Sequence, residues 1–235
     1  MGLILLFCNY YSFTANGFEQ FSKTDSPYGR PYYDWVANWW NWTLSIPTDE
    51  ETDRFSGLSD NGCLIHDEGS VVMLVDTAAG GYITQKCEIP SNKAIFLTIW
   101  TGVCNTQDTD IKNATSKGLS ECARKQDLGR IYGEVKIDNI PVGKVDVTDY
   151  TTNLIENITE IYTNQFNLTL PEDSHGVVPK VGTFPAVAHG WFVFLKPLPP
   201  GEHTIFYKNS VEESDQLSGA ENTNAAEITY HVTVK

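Results

Sequence analysis

The stretch that decides the fold is YGRPYYDWVANWWNWTLSIP, residues 28–47, which holds four of the six tryptophans in the chain. Its large apolar residues recur at steps of three and four: Tyr32, Trp35, Trp39, Trp42 and Ile46. That spacing places them along one side of an α-helix. Asp25 or Ser26 is positioned to cap the helix, and Pro47 to end it. Because a buried tryptophan or tyrosine removes about 150–250 Å² from water, the pattern predicts a helix over residues 28–46 whose stripe anchors the core.

Trp40 lies next to Trp39 and off this stripe, so it is predicted to reach the surface. An exposed tryptophan beside Tyr28 or Tyr33 could stack on a sugar ring or on a partner protein. Trp40, Tyr28 and Tyr33 are therefore the candidate ligand-binding residues. The simpler interpretation is that the aromatic residues of the helix only pack inward.

The remainder of the chain has the pattern of short β-strands separated by Gly, Pro and Asn turns. Apolar or alternating segments fall at residues 70–76, 82–89, 94–100, 131–138, 190–195, 203–207 and 227–235. Residues 153–170 are expected to add one or two strands, residues 171–188 and 209–225 to form loops, and residues 119–126 to form a short helix. About eight or nine short strands behind one N-terminal helix indicate a mainly β fold, a β-sandwich or jelly roll.

A chain of 235 residues suits one large β domain, and no repeat or low-complexity linker divides it. The prediction is a single β-sandwich domain over residues 28–235, preceded by a leader and N-terminal extension over residues 1–27. The leader is indicated by the apolar run MGLILLF and by Ala15-Asn16-Gly17, which resembles a signal-peptide cleavage site. The run is too short to cross a bilayer, and the sequence offers no other candidate span. The leader is either removed or retained, for example as a strand.

Four cysteines follow the leader: Cys63, Cys87, Cys104 and Cys122. An even number in a chain with a leader predicts two disulfides and an oxidising compartment. Other pairings exist, but the spacing favours Cys63–Cys87 and Cys104–Cys122, because each would close a local hairpin or loop. The alternative is a zinc site, which no CxxC pair or close Cys/His spacing supports.

Four N-x-S/T sequons, at Asn41, Asn113, Asn157 and Asn167, also fit an extracellular glycoprotein. Since Asn41 lies inside the predicted helix, it could be buried there. The sequons and the cysteines together predict a protein that is secreted or held at the cell surface.

The charge balance argues against two classes of partner. The formal net charge is −14, whereas binding to nucleic acid or to anionic lipid requires a basic surface. Asp108 and Asp110, followed by Asn113, resemble part of a calcium loop but lack the glycine and the terminal glutamate of an EF-hand. No cofactor is predicted apart from calcium at such a loop. His66 with its two acidic neighbours is a weaker metal candidate, and His203 is expected to hydrogen-bond at the start of a strand.

Several motifs occur in an order that resembles a family of uncharacterised secreted proteins found in archaea and bacteria. They are a Y-x-x-W-x-x-x-W-W-x-W signature formed by Tyr32, Trp35, Trp39, Trp40 and Trp42, KCEIP at residues 86–90, KAIF at 93–96, GWF at 190–192 and PLPPGEHTI at 197–205. The resemblance covers residues 28–235 and implies an exported β-rich domain with the two disulfides. Residues 69–74 read GSVVML, where the family carries a Trp-Phe pair.

Three function classes remain. The leading hypothesis is a non-enzymatic structural protein that associates with itself or with other cell-surface components, by adding an extended N-terminal segment to the sheet of a neighbour. The second is a secreted jelly-roll module that binds carbohydrate. The third is a hydrolase using acidic residues. For the third, the sequence shows no G-x-S-x-G motif and singles out no two of its 30 acidic residues.

Overall fold

The computed structural model describes residues 17–46, 52–53, 58–59, 63–74, 81–107, 115–126, 130–149, 151–172, 181–214 and 221–235. Its helices are α1 (Tyr32–Ser45), α2 (Ser116–Lys125) and a 3-10 helix at Pro27–Gly29. Its strands are β1 (Thr52–Asp53), β2 (Leu58–Ser59), β3 (Ile65–Glu68), β4 (Val71–Leu74), β5 (Gly81–Ile89), β6 (Ala94–Asn105), β7 (Arg130–Ile137), β8 (Ile140–Thr148), β9 (Thr151–Glu156), β10 (Thr159–Tyr162), β11 (Phe166–Leu170), β12 (Gly182–Leu195), β13 (Gly201–Ser214) and β14 (Glu221–Val234). None of the described helices has the length and apolar character needed to cross a membrane.

Two six-stranded sheets form the body of the protein. Sheet I has the order β10-β12-β6-β4-β3, with β11 also paired to β12, and sheet II has the order β5-β14-β13-β7-β8-β9. The pairs β4–β6 and β5–β14 are parallel, and the other pairs in these sheets are antiparallel. The fold is therefore mainly β with an N-terminal helix and is consistent with a β-sandwich, as the sequence predicts.

The main core lies between the two sheets. Ile99 and Val193 of sheet I belong to the same buried cluster as Val145 and Tyr230 of sheet II. Alternate residues of β7 and β8 face this core, and their neighbours face solvent, which is the period-2 pattern of a sheet covered on one side. Sheet I is covered on its other side as well, by helix α1.

Helix α1 packs its aromatic residues on the outer face of sheet I. Tyr32, Trp35 and Trp39 are each 2% exposed, and they share a cluster with Phe192 and Phe194 of β12. The indole N–H of Trp39 donates to the carbonyl of Leu74 at 2.9 Å, so the largest side chain near the centre of the helix has no unpaired polar atom. The predicted role of the stripe as a core anchor is confirmed.

The ends and the flank of the helix differ from the prediction. Pro31 is the N-cap residue, with no side-chain cap, while Asp25 accepts from the backbone N–H of Ser22 at 2.7 Å; the capping prediction was wrong. Trp42 belongs to the predicted stripe but is only half-buried. Trp40, predicted to be exposed, is half-buried too, because β11 and β6 extend beneath that flank and Trp40 donates to Thr101 Oγ1 at 3.3 Å.

The hairpins are longer than the sequence pattern indicates. The turn predicted at Asp138-Asn139 is present, with both residues in the left-handed region (φ 52° and 64°). Val142-Gly143, also predicted as a turn, lies inside β8. Residues 182–188 and much of 209–225, predicted as loops, extend β12, β13 and β14. Residues 153–170 hold parts of three strands instead of one or two.

Both disulfides have the favoured pairing. Cys63 is bonded to Cys87 and Cys104 to Cys122. The first joins the segment before β3 of sheet I to β5 of sheet II, and the second holds α2 against β6. The short helix expected at residues 119–126 is confirmed as α2, which begins at Ser116 with the Thr115 hydroxyl accepting from the Gly118 N–H at 3.1 Å.

Candidate functional site

The edges of the two sheets decide where another chain could pair with this one. An edge strand presents unpaired N–H and C=O groups, and proteins usually block them. On sheet I, part of the edge of β12 is occupied by the N-terminal segment of the same chain. Phe21 N–H donates to Phe194 O at 2.8 Å, and Lys196 N–H donates to Glu19 O at 2.9 Å. Residues 19–21, part of the predicted donor at residues 1–27, thus pair within their own chain, and residues 1–16 lie outside the described residues.

The β3 edge of sheet I carries a network of charged side chains. Glu68 accepts from Arg30 at 2.8 Å and from His66 at 3.0 Å, and Lys93 is paired with Asp67. The hydrogen bond from Arg30 lowers the pKa of Glu68. The His66 ring also stacks on Trp42 at 5.3 Å. Charged side chains on a strand of only four residues are a usual protection against edge pairing.

The β11 edge of sheet I is closed by one side chain of helix α1. The Asn41 amide donates to the carbonyl of Asn167 at 3.1 Å and accepts from the N–H of Thr169 at 2.8 Å. These two backbone groups flank Leu168 and point away from β12. The amide therefore satisfies them as one residue of an adjacent strand would. A second bond, from Asn41 to Ala37 O at 3.1 Å, fixes the amide against its own helix.

The β5 edge of sheet II is covered by the segment that leads into β3. The Cys63–Cys87 disulfide holds that segment in place. Leu64 N–H donates to the Gln85 side chain at 3.3 Å, and Gln85 is only 4% exposed.

The opposite edge of sheet II, β9, has no such cover among the described residues. No described segment pairs with the side of β9 that faces away from β8. Its sequence is TTNLIE, without lysine or proline, the residues that most often protect an edge. Thr151, Thr152 and Asn153 are exposed. In an antiparallel pair alternate residues point their backbone groups outward, so a strand of this length offers about three N–H and three C=O groups to a new partner.

Strand β9 also lies at the lateral margin of the main core, next to an edge strand of the other sheet. Only Asn157 and Ile158 separate it from β10, the edge strand of sheet I. These two residues pass close to Gly143 of β8. A Cβ atom added to Gly143 would lie 3.0 Å from the Asn157 carbonyl oxygen and 2.8 Å from the Ile158 side chain, so only glycine fits there. Ile155 is half-buried at the margin of the main core, and Tyr162 of β10 is 42% exposed. We call this region, bordered by β9 and β10, the lateral opening.

A histidine–glutamate pair lies on the β10 side of the lateral opening. His189, 2% exposed, donates through Nε2 to Glu160 Oε1 at 2.9 Å, and Tyr162 stacks on its ring at 3.8 Å. The hydrogen bond from His189 lowers the pKa of Glu160. In the described part of the chain, the buried indole N–H of Trp191, next to His189, has no hydrogen-bond partner.

The outer face of sheet II is polar and carries a cavity. A row of charged side chains of alternating sign crosses this face, with one residue on each of five neighbouring strands: Glu227, Lys208, Glu134, Lys144 and Glu156. On β5 the row ends at Tyr82, which is 86% exposed. A cavity of about 190 Å³ lies beside the row, lined by residues that include Lys136, Lys144, Glu156 and Asn157.

The predicted ligand-binding aromatics are not arranged as one platform. Tyr28 is 46% exposed and packs edge-on against Phe21, while Tyr33 and Trp40 are half-buried. Within the part of the chain that the structure describes, no ring contact joins any two of the three. Asp108, Asp110 and Asn113 lie outside it. Its described residues contain no group of three or more His, Cys, Asp or Glu that could hold a metal ion.

No family model and no curated protein matches the chain. Among solved structures, "Structure of PbICP-C in complex with falcipain-2" is similar over 71% of this chain and all of that chain, at 11% identity and a TM-score of 0.27.

Proposed function

We propose that this chain is a secreted or cell-surface structural protein that assembles by strand addition. In the proposed assembly, residues 1–16 of one copy pair with β9 of the next and extend its sheet II by a seventh strand. The observation that supports the proposal is the contrast between edges. Side chains or a disulfide contact β3, β5 and β11, whereas no described segment pairs with the free side of β9. β10, the other edge strand without a described neighbour, has only four residues. Each copy would give one strand and accept one, and such a head-to-tail contact propagates as a filament.

The composition of the donor segment fits this role. Residues 1–16, MGLILLFCNYYSFTAN, contain no charged residue and no proline. Extended at about 3.3 Å per residue, they would reach roughly 50 Å from residue 17. Their aliphatic and aromatic side chains favour a strand. Alternate side chains of a strand on β9 would enter the lateral opening and cover Ile155.

The test is a charge placed on the acceptor edge. Thr152 pairs with Val147, a core residue, so its side chain is on the inward side of sheet II, yet it is exposed. We expect Thr152→Lys to reduce the polymer fraction at least tenfold, because a lysine there would have to be buried beneath the added strand. Thr84→Lys, at an exposed position of the covered strand β5, is the matched control and is expected to assemble normally.

The native mass and the N-terminal residue are measured in the same sample from the original host. A polymer whose subunits retain residues 1–16 is the expected result. A monomer that begins near residue 18 would refute assembly by this segment. A polymer that Thr152→Lys does not weaken would refute β9 as the acceptor.

Carbohydrate binding is the second candidate function, and the outer face of sheet II supports it better than helix α1 does. Tyr82 is almost fully exposed at the end of the charged row, and an exposed aromatic ring on a polar face can stack on a sugar. We expect glycan-array binding that Tyr82→Ala abolishes and Trp40→Phe preserves. Absence of binding to every glycan would remove this candidate.

A further inference from the structure

The three sequons within the described residues lie in different local structures. Asn41 is in helix α1, with its amide nitrogen bonded to two carbonyl groups. Asn167 is the second residue of β11, paired with Pro185. Asn157 alone of the three lies outside the named helices and strands, in the two-residue connection between β9 and β10. A transferase must reach both the amide and the Thr hydroxyl of the acceptor site, and a surface loop offers them more readily than a helix or a strand.

The backbone and surroundings of Asn157 leave its side chain accessible. Its φ is 52°, a left-handed conformation that turns the chain from one sheet to the other, and the residue is exposed. Asparagine is one of the few residues that adopt this conformation easily, so the turn alone accounts for the residue type. Thr159, which completes the sequon, is the first residue of β10 and is half-buried. A cavity of about 190 Å³ adjoins Asn157 on the side of β8, next to the polar side chains of Lys144 and Glu156.

A glycan at this position would interfere with the open edge. Asn157 directly follows Glu156, the last residue of β9, so the first sugar would be attached one residue beyond the final ladder position. An added strand runs about 4.8 Å from its neighbour. A branched, hydrated glycan at that end of β9 would therefore occupy the space that the added strand needs.

We infer that Asn157 is an N-glycosylation site whose glycan caps the β9 edge. Glycosylated copies then end a filament or stay monomeric, and unmodified copies extend it. The modification rests on the sequon and on the accessibility of Asn157. Its regulatory effect rests on the proposed function.

The experiment separates monomer from polymer in protein purified from its own host and measures glycan occupancy by mass spectrometry of the peptides that contain Asn157 and Asn167. We expect occupancy of Asn157 at least tenfold higher in the monomer, with no such difference for Asn167. In the same host, Asn157→Gln is expected to raise the polymer fraction several-fold, while the matched variant Asn167→Gln leaves it unchanged.

The outcomes distinguish the two claims. Asn157 unmodified in every fraction overturns the inference. Equal occupancy of Asn157 in monomer and polymer overturns the capping role but leaves assembly through β9 intact. Failure of Asn157→Gln to form any polymer, in a variant that unfolds at the same urea concentration as wild type, overturns the capping role and the proposed function together, while the modification stands.

Discussion

The edge function of Asn41 can be tested by removing its amide. Asn41→Ala deletes three hydrogen bonds: those to the carbonyl groups of Ala37 and Asn167, and the one from the Thr169 N–H. A typical intramolecular hydrogen bond contributes about 0.5–1.5 kcal/mol net. Because Asn167 and Thr169 are exposed and water can replace part of the loss, we expect a decrease of about 2 kcal/mol in the free energy of unfolding.

Asn38→Ala is the matched control, since it makes the same substitution in the same helix. Asn38 makes one long contact, to Glu68 at 3.5 Å. Both variants gain helix propensity of roughly 0.6 kcal/mol, so the difference between them reports the hydrogen bonds of Asn41 to β11 and to Ala37. Urea unfolding gives the free energies, and hydrogen exchange of the Thr169 amide gives a local readout. The reasoning is refuted if Asn41→Ala destabilises no more than Asn38→Ala, or if the Thr169 amide stays equally protected.

Two further predictions follow from the same structure. His203 donates to Asp138 at 2.8 Å and to Pro199 O at 2.9 Å; burial alone would lower its pKa, but these hydrogen bonds and the charge of Asp138 outweigh burial and raise the pKa above 6.5. The stabilisation by His203 is therefore complete below about pH 6.5 and is lost as pH rises through the raised pKa. We expect the difference in free energy of unfolding between wild type and His203→Gln to shrink in alkaline solution. A difference that stays constant with pH would contradict this. The disulfides close separations of 24 and 18 residues. Relative to wild type, we expect the double variants Cys63→Ser/Cys87→Ser and Cys104→Ser/Cys122→Ser each to lower the free energy of unfolding by about 3 kcal/mol. A loss below about 1 kcal/mol for either pair would show that the cross-link is dispensable.

Local patterns could be read from the sequence, and contacts between distant segments could not. The burial of Trp35 and Trp39 follows from their spacing alone, because a helix has a fixed period. The pairing of Cys63 with Cys87 and of Cys104 with Cys122 follows from the short separation of each pair along the sequence. Trp40 was misjudged because the width of the buried surface depends on β11, a strand more than a hundred residues later in the chain. Val142-Gly143 was misread as a turn because the glycine accommodates the close passage of Asn157 and Ile158, which is also a nonlocal contact.

The candidate site was hidden for the same reason. TTNLIE is an unremarkable polar segment until β9 is known to be the last strand of its sheet. Asn41 was noted only as a sequon, and nothing near it in the sequence indicates that its amide meets β11. His189 and Glu160 are 29 residues apart, and their pairing depends on the register of β10 against β12. An edge is defined by which strand has no neighbour, and that is a property of the whole topology.

The distribution of charge supports the proposed assembly through a separate segment. All 46 charged residues, 16 basic and 30 acidic, follow residue 16, so two folded domains with a net charge of −14 repel each other at close range. A direct contact between domain surfaces would have to overcome that repulsion over a large area. In the proposed assembly, an uncharged strand on β9 would bring no side-chain charge to the contact and would gain backbone hydrogen bonds and apolar burial. In the proposed assembly, the uncharged residues 1–16 and the side of β9 that has no described neighbour form the two halves of one contact.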